Sequence, residues 1–85
     1  MKNSTYSSNG YRNVSAESHG EAAEKFALTE ARRKYGRTGR VGALTAGAGS
    51  QDGRIQEWSA FIGKPAYKQP NATDGHTINL TTSAN

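Results

Sequence analysis

Eighty-five residues with a net charge of +4 make at most one small domain, and one with little to bury: apolar residues are 33% of the chain and the mean hydropathy is -0.84. The absence of cysteine excludes disulfides and thiolate metal sites, and no apolar run has the length of a membrane span. A pI near 9.7 favours acidic partners, nucleic acid first.

Residues 1–9 are polar and are expected to be a mobile N-terminus. They carry no apolar secretory segment, so a cytoplasmic protein is the expectation. Residues 10–17 read as a first strand, with Arg12, Val14 and Ala16 on one face and Tyr11, Asn13 and Ser15 on the other.

The long helix signal runs from Ser18 to Gly36. Ser18 followed by Glu21 is a capping box, in which the hydroxyl accepts from the amide three residues on and the carboxylate reaches back to the Ser18 amide. Glu21 and Glu24 suit the positive end of the helix dipole, and Arg32, Arg33 and Lys34 suit the negative end. Ala23, Ala27 and Ala31 form one line, flanked by Phe26 on one side and by Leu28 and Tyr35 on the other. Gly36 can take the left-handed conformation that closes a helix.

Gly36-Arg-Thr-Gly39 turns the chain into a second strand over 40–46, weakened by Gly42. Residues 47–53 read as a flexible Gly-rich connection ending in the hairpin signal Asp52-Gly53. Residues 54–62 are the clearest strand. Trp58, Ala60 and Ile62 point to the helix, and Ile55, Glu57, Ser59 and Phe61 point away. Gly63-Lys-Pro65 ends it. The stretch 64–75 reads as loop, opening a Pro/Asn/Thr-rich tail over 64–85. Within that tail 76–82 alternates strictly, as either an edge strand or a segment that orders on a partner. The expected fold is α+β: a two-layer β-α-β-β domain over 10–63, with one helix on a small antiparallel sheet.

The most concentrated chemistry is basic. Arg32, Arg33, Lys34, Arg37 and Arg40 put five positive residues in nine across the helix end, the turn and a strand start. Such a corner can neutralise phosphates. Dipole complementation and solubility explain Arg32 to Lys34 as well, but explain Arg37 and Arg40 less well. Arg12 and Arg54 join the corner if their strands are neighbours, and the Gln51–Asp52 loop tip offers a further contact.

Gly36-x-x-Gly39 matches the spacing of an RNA-gripping loop. That loop joins two helices, whereas this one joins a helix to a strand, so a cap and tight turn is the simpler meaning. Gly47-Ala-Gly49 leads into a strand and lacks the Gly-Lys-Ser/Thr of a nucleotide loop. Tyr11, Tyr35, Trp58, Phe61 and Tyr67 could stack on single-stranded bases. Tyr35 and Trp58 fit the core, and Tyr11 and Phe61 fit the surface. A β-α-β-β unit is half of a common RNA-binding layout, but the aromatic signature of that domain is absent. His19 and His76 are the only histidines, and no nucleophile motif, paired-carboxylate pattern or metal-ligand spacing accompanies them. The expectation is a protein that is no enzyme and holds no cofactor or metal.

The chain resembles small anti-defence proteins of bacteriophages and mobile elements, the anti-CRISPR-like inhibitors. The resemblance lies in a short cysteine-free chain, the Ala-rich helix Glu21-Ala-Ala-Glu-Lys-Phe-Ala27, the Arg-Arg-Lys-Tyr-Gly turn and the strand Ala60-Phe-Ile62. It implies a stoichiometric inhibitor that occludes a host protein or nucleoprotein complex and performs no chemistry. Three function classes follow from the sequence: that inhibitor, acting through the basic corner; a direct nucleic-acid binder using the same corner; and a subunit that oligomerises, a homodimer for instance, through an uncovered sheet edge.

Overall fold

The computed structural model describes residues 3–66 and 69–85, the side chains of 65–74 excepted. In chain order the elements are β1 (Ser4–Ser7), β2 (Val14–Ala16), α1 (His19–Tyr35), a 3-10 turn (Gly36–Thr38), β3 (Arg40–Gly49), β4 (Ile55–Ala66) and β5 (Gln69–Ala84).

The ends of α1 follow from local sequence. The Ser18 hydroxyl accepts from the Glu21 amide (3.2 Å). Glu21 reaches past the expected Ser18 amide to that of Glu17 (2.9 Å), one residue farther out, while pairing with Lys25 on the next turn (3.7 Å). Gly36 closes the helix at φ 77, its N–H donating to the Arg32 carbonyl. The buried face is Ala22, Ala23, Phe26, Ala27 and Ala31. It is the alanine line of the sequence widened by Ala22, while Leu28 is only half-buried. Alanines let the helix axis approach the strands closely, so most of the bulk between the layers comes from the sheet.

The chain is an α+β domain with one helix on one face of a five-stranded sheet of order β2-β1-β5-β4-β3, and every pair is antiparallel. Trp58, Ala60 and Ile62 of β4 face the helix as their alternation predicts. Across from them on β5, Leu80, Ile78 and His76 share that face. Val14 and Ala16 of β2 and Val41 and Leu44 of β3 complete the core.

Four expectations are corrected. The segment 76–82, read as an edge strand or a tail, belongs to the central strand, paired to β4 on one side and to β1 through Tyr6↔Ala84 and Ser7↔Ser83 on the other. Residues Ser4–Ser7, read as part of a mobile tail, form β1 and bury Tyr6 against the core. The strand expected over 10–17 shrinks to Val14–Ala16, because Gly10 (φ 87) and the Tyr11 N–H to Ser8 carbonyl bond (3.1 Å) make the preceding residues a turn. Finally, the strand expected to stop at Gly63 continues. Gly63↔Gly75, Lys64↔Asp74 and Pro65↔Thr73 extend the β4–β5 ladder into the stretch read as loop. The register shifts directly after Pro65, so its missing amide hydrogen falls where the ladder is already irregular.

Beneath the first turn of α1 lies a half-buried polar node. His19 Nε2 donates to the Gly53 carbonyl (2.7 Å), which leaves Nδ1 to accept from the Thr82 hydroxyl (2.7 Å). Thr82 Oγ1 in turn accepts from Trp58 Nε1 (3.1 Å). Thr82 is fully buried, and Tyr6 packs edge-on against His19 (centroids 4.9 Å apart). One hydroxyl therefore ties β4, β5 and the helix start together. Thr82→Val keeps the shape but strands the indole N–H and the imidazole nitrogen. It should cost about 1–3 kcal/mol in urea unfolding, while Thr82→Ser should cost less.

Candidate nucleic-acid interface

Apart from Lys25 and Glu30, which pair with Glu21 and Arg33 one turn away, the charges of α1 separate along its axis. Glu17, Glu21 and Glu24 lie at its N-terminal end, and Arg32, Arg33, Lys34, Arg37 and Arg40 at or beyond its C-terminal end. Both placements complement the helix dipole. The separation also gives the domain an acidic end and a basic end.

Arg33 is engaged within the fold. It pairs with Glu30 (3.5 Å), donates to the Gly10 carbonyl (3.1 Å) and lies over the Tyr11 ring (5.0 Å to the centroid). Tyr11 also packs on Phe26 and donates its hydroxyl to Glu30 (3.2 Å). Burial, and then the Glu30 charge, hold that hydroxyl's pKa above the ordinary tyrosine value. Arg33 thus pins the β1–β2 connection. Exposed Arg12, which leads into β2, does not meet the condition for joining the corner, because β2 and β3 are the two opposite edges of the sheet. Tyr11, expected as a surface aromatic, is instead packed against the core.

The remaining members of the corner are free of such ties. Arg32, Lys34, Arg37 and Arg40 are exposed, and among the described residues no carboxylate pairs with any of them. Arg32, Gly36 and Arg37 line one surface hollow. Arg40 opens β3 opposite Gly63, on the sheet face turned away from the helix. The Gly36–Gly39 turn closes on itself, the Gly39 N–H donating to the Gly36 carbonyl (2.9 Å). The Gly-x-x-Gly spacing is therefore a helix exit whose second glycine is buried against the helix end.

His76 is a member of this end that the corner assignment missed. The Tyr35 hydroxyl lies 2.6 Å from His76 Nδ1, and with the hydroxyl donating, Nε2 holds the ring proton on an exposed side chain. The signal was present in the alternation of 76–82, which places His76 on the same face as Ile78 and Leu80, toward the helix.

Gln51, Asp52 and Arg54 do not join the corner. The β3–β4 connection reverses the chain, so Arg40 and Arg54 lie at opposite ends of β3, roughly 30 Å apart over ten strand residues. The 47–53 stretch is also not a long flexible loop. Gly47–Gly49 belong to β3, and Ser50–Arg54 make a tight turn with Gly53 at φ 75. The Asp52 carboxylate accepts from the Ser50 hydroxyl (2.6 Å) and the Arg54 amide (3.0 Å), and these two bonds hold its pKa below the ordinary carboxylate value. Asp52 and Arg54 are thus turn-forming residues at the acidic end, beside His19. Tyr67 lies outside the described residues.

Among the described residues, no three His, Asp or Glu side chains gather as metal ligands, and no helix is long and apolar enough to cross a membrane. No protein-family model, curated protein or solved structure matches the chain.

Proposed function

We propose that this chain is a non-catalytic binding protein whose basic end seats the phosphate backbone of nucleic acid. The observation that carries the reading is the exposed set Arg32, Lys34, Arg37 and Arg40, gathered at one end without carboxylate partners among the described residues. Side chains of this kind do not need four neighbours to cap one helix, and clustering them carries a repulsive cost that a polyanion relieves. Three of the four are arginines, whose planar forks match phosphate oxygens two at a time. Exposed His76 adds a donor beside them. The acidic opposite end supports an oriented approach, basic end first.

An inhibitor of the phage type would use the same end on an acidic protein surface, and the test separates the two partners. In fluorescence anisotropy with labelled DNA and RNA, the affinity should fall steeply with salt. Arg37→Ala/Arg40→Ala should lower the slope of log affinity against log salt by about 1.5–2, the share of two phosphate contacts. An unchanged slope in the double variant removes the basic end as the site. No binding at low salt removes the nucleic-acid reading and leaves an acidic protein as the partner.

A further inference from the structure

The single helix covers one face of the sheet. The other face is open and nearly free of charge. It presents Thr5 and Ser7 of β1, Thr45 of β3, Ile55, Ser59 and Phe61 of β4, and Thr77, Asn79, Thr81 and Ser83 of β5, with Ile55 beyond Glu57 at the acidic end. Among its described side chains the charged ones are Arg40 at the basic end and Glu57 toward the other.

Phe61 is the one aromatic ring on this face among the described residues. Tyr6, Tyr11, Phe26, Tyr35 and Trp58 all pack with the helix-side core. The ring of Phe61 stands on a floor of small residues. On β3 it flanks Gly42, where an added Cβ would sit 3.4 Å from the ring. Thr77 lies directly across on β5, and Ser59 and Gly63 are its same-face neighbours along β4. Beyond Gly63 the next cross-strand partner is Gly75, whose backbone approaches the Ile62 carbonyl so closely that a side chain there would collide. Among the described residues nothing large therefore stands beside Phe61, and the half-exposed ring is open to a flat partner. Arg40, opposite Gly63, is a diagonal step away and joins this floor to the basic end. In the other direction the floor leads to a shallow hollow lined by Thr45, Ser59, Asn79, Thr81 and Glu57. These hydroxyl and amide groups can both donate and accept, as recognition of base edges requires.

We infer that the open sheet face is a track for single-stranded nucleic acid, entered from the basic end at Arg40, with one base stacked on Phe61. The inference rests on the basic end binding phosphate and adds the substrate class. A duplex keeps its bases stacked inside and cannot offer one to Phe61, whereas a single strand can. From Gly63 to Glu57 the track runs roughly 20 Å, enough for about four nucleotides. Glu57 marks its far limit by repelling phosphate.

The test is a set of anisotropy titrations with a labelled single-stranded 12-mer and with the matching duplex, at fixed low salt. The single strand should bind at least about tenfold more tightly than the duplex. Phe61→Ala should weaken single-strand binding at least about fivefold and leave the duplex unchanged, while Phe61→Tyr should bind as the parent does. Glu57→Gln should tighten single-strand binding about twofold or more, a gain that misfolding cannot imitate. Equal binding of strand and duplex, with neither Phe61→Ala nor Glu57→Gln altering it, overturns the track and leaves the basic end standing. Binding of neither form overturns both.

Discussion

Phe26→Ala is expected to leave the domain largely unfolded at room temperature, or to remove most of its resistance to urea. Truncating a buried phenylalanine costs about 3–5 kcal/mol. A domain of this length has about 4–13 kcal/mol in total, so the loss is a large share of what exists. Position 26 is the most exposed to such a loss because the rest of the buried helix face is alanine. Phe26 is the one large side chain of the helix that is fully buried, and it also carries the Tyr11 ring (centroids 5.5 Å apart), through which the β1–β2 connection is held. Phe26→Leu keeps most of the volume and should cost less than half as much. The two midpoints in urea, compared with the parent, check this. A Phe26→Ala midpoint equal to the parent's would mean that the helix does not depend on this anchor.

Gly39→Ala should have the next largest effect, for a different reason. A Cβ at Gly39 collides with the Ala31 carbonyl, which is backbone near the C-terminal end of α1 and cannot rotate away. Either the helix end or the entry to β3 must move. The expected cost lies at the upper end of the 1–3 kcal/mol range of about one overpacked group. Gly53→Ala is the informative comparison. Its φ of 75 penalises a side chain by about 1–2 kcal/mol, but nothing lies within 4 Å of the added carbon. Gly39→Ala should therefore lower the thermal midpoint more than Gly53→Ala. It should also weaken nucleic-acid binding, because it displaces the segment between Arg37 and Arg40. Equal midpoints would place the close approach of strand and helix elsewhere.

The parts of this fold that were legible in the sequence are those encoded by neighbours in the chain. Ser18, Glu21 and Gly36 specify the ends of α1 through bonds within a few residues. The alternation around Trp58, Ala60 and Ile62 specifies the helix-facing side of β4 without knowledge of what pairs with it. β1 was not legible because one buried side chain, Tyr6, in four residues is too little pattern, and its pairing depends on β5 some eighty residues away. The same dependence turned an apparent edge into the centre of the sheet: the alternation of 76–82 shows two faces but not how many neighbours the strand has. Pro65 read as a terminator because proline lacks a donor, yet the register shift beside it lets the ladder pass.

The basic end was half legible. Arg32, Arg37 and Arg40 are close in sequence and stay close in space. Arg54 leads into the strand next to β3, as its joining the corner requires, but the antiparallel β3–β4 pairing carries it to the other end. Arg33 looked like its neighbours in sequence, but its bond to the Gly10 carbonyl and its contact with Tyr11 are long-range and give it a structural role. His76 enters through Tyr35, forty-one residues earlier, a pairing visible only once β5 lies beside the helix end.

The central claim is that the basic end is where this protein meets a polyanion. The most direct measurement is a titration of isotope-labelled protein with a short oligonucleotide, followed by amide chemical shifts at physiological salt. The shifts should include Arg32–Arg40 and His76, and with a single strand also Phe61 and its neighbours on the open face, with those around Glu17–Glu24 and Ser50–Arg54 left in place. Shifts confined to the acidic end, or a spectrum that does not change with added oligonucleotide, would contradict the account.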